Sequence, residues 1–148
     1  MPISKEVQSN SSVYRRPNPL SVWGSVAGYC IFIFFLSAQS DLSAPQAVPF
    51  ADKAAHLLLY AGLGWLWARA VHTSWPKWTA ETILVSTFAF VTLYGLSDEW
   101  HQLSVLGRFA ELEDVGADAC GGLLGGIGYL FWLRFRGKRA GTQLAQDV

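Results

Sequence analysis

The chain has 148 residues, enough for one domain. Charged residues make up 15% of it and hydrophobic residues 51%, whereas a soluble domain carries about a quarter charged; the balance argues against an ordinary water-soluble domain and for lipid as the solvent. The formal net charge is zero, which argues against nucleic acid as a partner.

Residues 1–19 form a polar N-terminal tail containing Pro17 and Pro19. The first apolar stretch, 20–38, holds no charge. It is read as a retained helix rather than a cleaved signal, because Leu36 is a poor residue three positions before a cut after Ala38 and the stretch is long for a signal core. Arg15-Arg16 is a poor twin-arginine signal, since Pro17 follows directly. The second stretch covers about 54–71 and holds His56 and Arg69 near its ends. The third covers about 79–96, from near Glu81 to Ser97-Asp98-Glu99, and the fourth about 115–133. Each is about 19 residues, which at about 1.5 Å per residue approaches the ~30 Å hydrocarbon thickness. Helices satisfy their own backbone in lipid. The expected fold is therefore all-α, an integral membrane bundle of four transmembrane helices over 20–136, followed by a polar tail at 137–148. Cys30 and Cys120 lie inside apolar runs and are read as small core residues; no CxxC or zinc spacing is present.

Basic residues set the orientation. Lys5, Arg15, Arg16, Arg69, Lys77, Arg134, Arg136, Lys138 and Arg139 fall on one side, against Lys53 and Arg108 on the other. Both termini and the loop near 72–78 are expected in the cytoplasm, with the loops near 39–52 and 97–113 outside, in a bacterial inner (plasma) membrane. Acidic residues run the other way: Asp41, Asp52, Asp98, Glu99, Glu111, Glu113, Asp114 and Asp118 all belong to the outer half. Trp75 and Trp78 flank the inner loop and Trp100 the outer one, where interfacial aromatics belong.

The outer helix ends carry the chemistry. In the second helix Asp52, His56 and Tyr60 recur at i, i+4 and share a face, while Lys53 can reach the headgroups. His56 is either an interfacial histidine bonded to a carbonyl or a proton carrier or metal ligand. In the third, Tyr94, Asp98, His101 and Gln102 share a face, with Glu99 beside it. Asp98, Glu99 and His101 are candidate acid, base or metal-ligand groups, and a solvated helix end is the plainer alternative. Arg108 offers a fork for phosphate or carboxylate, or an internal salt bridge to a nearby acid. In the fourth, Asp114 suits a helix N-terminus. Asp118, one turn deeper, is costly toward hydrocarbon and reads as functional. Gly121 with Gly125, and Gly122 with Gly126, form two small-residue registers for close helix packing, and 114, 118, 121 and 125 lie on one face.

These residues together resemble the VanZ-like membrane proteins. The resemblance rests on Asp52-Lys53-x-x-His56 with Tyr60, Asp98-Glu99-x-x-Gln102, Gly107-Arg108, Asp114, Gly121 and Gly125, and covers roughly 50–130. It implies a bacterial cell-envelope role, associated in the founding member with resistance to the glycopeptide teicoplanin, and implies no reaction. The family usually has asparagine where this chain has Asp118.

Two function classes follow. One is a binding site, or a membrane-embedded enzyme, for an anionic or lipid-linked envelope ligand: Arg108 and Lys53 would hold the head group, with a divalent metal on Asp98, Glu99, Asp114 and Asp118 as a further option. The other is a non-catalytic envelope protein whose polar cluster fixes helix register. Membrane lipids are the expected surroundings, and assembly with further copies of the chain stays open.

Overall fold

The computed structural model describes residues 18–39, 51–105, 108 and 110–146, with side chains through Gly137. Asp41, Gly107 and the basic residues of the N-terminal tail lie outside the described residues, as do the side chains of Lys138 and Arg139. Four helices follow one another: α1 (Pro19–Ser37), α2 (Ala51–Ser74), α3 (Ala80–Gln102) and α4 (Leu112–Gln146). There is no strand among the described residues. The all-helical expectation thus holds.

Local chemistry sets the helix ends. Asn18 caps α1, its side chain accepting the Leu20 N–H at 3.0 Å, and Pro19 occupies the first turn where no N–H is needed. Thr79 caps α3 by accepting the Thr82 N–H at 3.2 Å. The short turn between α2 and α3 holds Pro76, and the Trp78 N–H closes it on the Trp75 carbonyl. Asp52, Glu113 and Asp114 lie in the first turns of α2 and α4, where the helix dipole favours negative charge.

One boundary differs from expectation. Helix α4 continues through Gln146, so most of the polar tail expected from 137 belongs to the helix. No proline interrupts this stretch, and its lysine, arginine, alanine and glutamine residues suit a helix. Arg136 also lies 4.7 Å from the Trp132 ring, a cation–π contact along the helix.

Helices α2 and α4 form the most extensive packing in the bundle. The two glycine registers of α4 serve different neighbours. A side chain at Gly121 would run into the Leu57 carbonyl of α2, and one at Gly125 into the Ala61 carbonyl. One at Gly122 would meet Val91 of α3, and one at Gly126 would come within 3.2 Å of Leu84. Gly64 answers from α2, backed against the Gly122 carbonyl. Without Cβ atoms the backbones touch, and dispersion contacts are made along the whole seam.

The bundle has an apolar core, yet it buries a group of charged residues at one end and leaves large apolar side chains on its surface. Asp98, Glu99, Gln102, Asp114 and Asp118 are buried, while Leu20, Leu58, Leu93, Phe35 and Phe131 stand exposed. An exposed apolar surface of this kind calls for a non-aqueous neighbour. Two helices, α1 and α3, are by themselves long and apolar enough to cross a membrane. The end opposite the acids is aromatic: Trp23 packs edge-on against Trp67 at 5.2 Å and donates from its indole N–H to Ser74 at 2.9 Å, and Trp75 stacks on Trp78 at 5.1 Å.

Replacing Gly125 with Val is expected to force α2 and α4 apart and cost about 1–3 kcal/mol, the range for overpacking. Gly116→Ala, where an added Cβ meets nothing within 4 Å, is expected to be neutral or slightly stabilising. Thermal unfolding of purified protein in mild detergent measures both; equal melting of the two variants contradicts the packing scheme.

Candidate functional site

The N-terminal ends of α2 and α4 and the C-terminal end of α3 converge. Lys53, in the first turn of α2, is one-fifth exposed and sits among carboxylates: Glu111 at 2.8 Å, Asp52 and Asp114 at 3.4 Å, and Glu113 at 3.5 Å. The hydrogen bond to Glu111 pushes the Lys53 ammonium above its ordinary range, so it stays charged. The Lys53 backbone N–H in turn holds Asp52 below the usual carboxylate range. Lys53 therefore ties α2 to the start of α4. Its ammonium is surrounded by protein acids.

One turn on, His56 Nδ1 lies 2.9 Å from Asp118 Oδ1. With Asp118 ionised, the carboxylate accepts and the imidazole proton sits on Nδ1. Among the described residues Nε2 makes no hydrogen bond, and Asp114 Oδ2 lies 3.9 Å from it. The Tyr60 ring lies nearly parallel to His56 at 6.2 Å, one further turn along the same face. Asp118 is fully buried because Gly95 of α3 makes room for it: a Cβ there would lie 2.6 Å from Asp118 Oδ2. Gly95 is a positioning residue that sequence reasoning passed over. Its signal, a glycine one turn before Asp98, gains meaning only once α4 is laid beside it.

From α3, Gln102 Nε2 donates to Asp98 at 3.3 Å and to Glu99 at 3.4 Å. The other oxygen of Glu99 accepts the Glu111 N–H at 2.7 Å, holding the approach to α4. Neither Asp98 nor Glu99 has a basic side chain within ion-pair distance among the described residues. His101 points elsewhere, stacked on Phe34 of α1 at 4.2 Å, and is separated from the acid cluster it was expected to join. The four acids weighed as metal ligands do not meet at one point. The donor atoms within 4.8 Å of one another belong to His56, Asp98 and Glu99, and to Asp52, Glu111 and Asp114 around Lys53.

A cavity of about 240 Å³ opens beside this cluster. Its polar wall is Asp52, His56, Tyr60, Asp98, Gln102 and Arg108; its apolar wall is Ile33 and Leu36 of α1 with Ala55 and Leu59 of α2. The i, i+4 face 52, 56, 60 thus lines it, as the spacing requires. Asp114 and Asp118 do not line it and stand behind His56. Helix α1, given no site role from sequence, supplies half of the apolar wall. Arg108 makes no ion pair with any described residue, and its Nε is buried without a hydrogen-bond partner. No internal salt bridge from it is present among the described residues. The Tyr60 hydroxyl is likewise buried and unpartnered.

A search of curated proteins and a search of solved structures each found no match. A family model described as VanZ/LLP1 matches residues 7–134, nearly the whole chain and every residue of the convergent cluster. The chain belongs to the VanZ/LLP1 family.

Proposed function

We propose that this is a four-span inner-membrane protein, both termini cytoplasmic, whose outward cavity binds the anionic head group of a lipid-linked envelope component. The observation that carries the reading is Arg108, an unpaired guanidinium on the wall of a cavity whose opposite side is apolar. Its Nε–H is buried with no hydrogen-bond partner among the described residues, an unsatisfied donor that is costly, and a phosphoryl or carboxylate group would accept its fork. Ile33, Leu36 and Leu59 would meet the first part of an acyl or prenyl chain. Orientation is supported by charge: Arg69, Lys77 and Arg134 gather at the end opposite Lys53, Asp98 and Asp114. Although α2 and α4 carry ionisable groups, Asp118 and His56 pair internally, which lowers the cost of placing such helices in lipid. Tolerance of a glycopeptide such as teicoplanin is the cellular consequence attached to this binding.

A second, catalytic reading draws on one observation. His56 lines the cavity and is oriented by Asp118, the arrangement of a base held by a carboxylate. No nucleophile stands beside it among the described residues, so binding is the reading preferred.

Binding is tested in nanodiscs carrying a polyprenyl phosphate or the matching neutral polyprenol, with retention read by native mass spectrometry. The phosphate is expected to be retained selectively, and Arg108→Gln to lose about 10–100-fold in affinity, the worth of one charge-assisted hydrogen bond of about 1.5–3 kcal/mol. Equal retention of phosphate and alcohol, or no effect of the substitution, rejects the reading. Orientation is tested with Glu113→Cys, at a side chain 77% exposed, in a chain with Cys30 and Cys120 replaced by Ala. A membrane-impermeant maleimide should label it in intact cells, while Lys77→Cys should react only after permeabilisation. The reverse pattern inverts the topology.

A further inference from the structure

The two groups of close donor atoms differ in what already neutralises them. Asp52, Glu111 and Asp114 surround the Lys53 ammonium. Asp98 and Glu99 have only the Gln102 amide and the Glu111 N–H, both neutral donors. Two adjacent carboxylates, each about 5% exposed, therefore lie together without a compensating cation among the described residues. Burying such charge is costly unless a positive partner is supplied.

His56 completes the set. Its donor nitrogen, one oxygen of Asp98 and one of Glu99 all lie within 4.8 Å of one another. With Nδ1 hydrogen-bonded to Asp118, the nitrogen left with a lone pair is Nε2. A carboxylate on the far side of a histidine is the usual outer support of a metal-bound imidazole, fixing its tautomer and raising its basicity. Independently, the Tyr60 hydroxyl, 1% exposed, lines the same cavity with no partner. A cation-bound water is a partner it could take.

We infer that His56, Asp98 and Glu99 bind one divalent metal ion at the cavity wall, with Asp118 as the outer-shell positioning residue. One imidazole and two carboxylates suit Mn²⁺ or Zn²⁺ better than Ca²⁺ or Mg²⁺, which favour all-oxygen sites. The inference goes beyond head-group binding and does not depend on it. His56, Asp98 and Arg108 line one cavity, so the ion would add positive charge to a site that is otherwise rich in acids.

The test uses full-length, tag-free protein, stripped with chelator and placed in nanodiscs of zwitterionic lipid with no added ligand. Mn²⁺ is titrated in and followed by electron paramagnetic resonance, with echo modulation at one equivalent to detect nitrogen bound to the metal. The wild type is expected to take up about one Mn²⁺ per chain with a histidine nitrogen coupled to it, displaceable by Zn²⁺. Asp118→Asn is expected to weaken binding by about 10–100-fold, the range for lost outer-shell support, while keeping the nitrogen signal. His56→Gln should remove that signal, and Glu99→Gln should weaken uptake at least about tenfold. Absence of nitrogen coupling in the wild type overturns the site whatever the variants do. Unchanged uptake in a folded Glu99→Gln, with helicity checked by circular dichroism, overturns it as well. Because no phosphate probe is present, failure of the head-group reading would not imitate either result.

Discussion

The close approach of α2 and α4 governs the rest of the structure. At Gly121 and Gly125 the α4 backbone lies directly on the Leu57 and Ala61 carbonyls of α2, and Gly64 returns the contact on Gly122. A side chain at any of these positions would separate the helices. The same face, continued two turns toward the acidic end, carries Asp118 and Asp114. The glycine seam is thus what brings Asp118 within 2.9 Å of His56 and Asp114 within 3.4 Å of Lys53. Packing and chemistry share one helix face, and the first sets the distances of the second.

The charges then divide into two communities. One is neutralised by the protein itself, with Lys53 holding Asp52, Glu111 and Asp114. The other is unbalanced among the described residues: Asp98 and Glu99 have no cation within ion-pair distance, and Arg108 no anion. A network built only to fix helix register would be expected to close on itself. Here Asp98 and Arg108 border a cavity with an apolar side, an arrangement on which the proposed head-group site rests.

Much of this was legible from periodicity. The i, i+4 spacing of Asp52, His56 and Tyr60 places them on one face, and that face lines the cavity. The alignment of Asp114 and Asp118 with Gly121 and Gly125 was equally readable, because one helix fixes it without knowledge of its neighbours. Pairings across helices were not. Lys53, read as a head-group contact, is ringed by acids; Arg108, read as a ligand fork or an internal salt bridge, makes no ion pair with a described residue; His101 shared a face with Asp98 yet stacks on Phe34. Each of these depends on the rotation of one helix against another, to which spacing within a helix is blind. The role of α1 was hidden for a different reason: its apolar run is so uniform that no face stands out. Apolar length also separates the helices unevenly: among the described residues α1 and α3 are apolar enough to span alone, although α3 carries Asp98 and Glu99 at its end.

The most direct measurement of the central claim is the protonation of His56 by nitrogen-15 magnetic resonance in lipid, in the wild type and in Gly125→Val. If the glycine seam delivers Asp118 to the imidazole, the wild-type proton resides on Nδ1, and widening the seam releases the ring to the Nε2–H form that imidazole favours when free. A bare Nδ1 in the wild type, or a spectrum indifferent to the Gly125 substitution, would contradict the coupling of packing to site geometry.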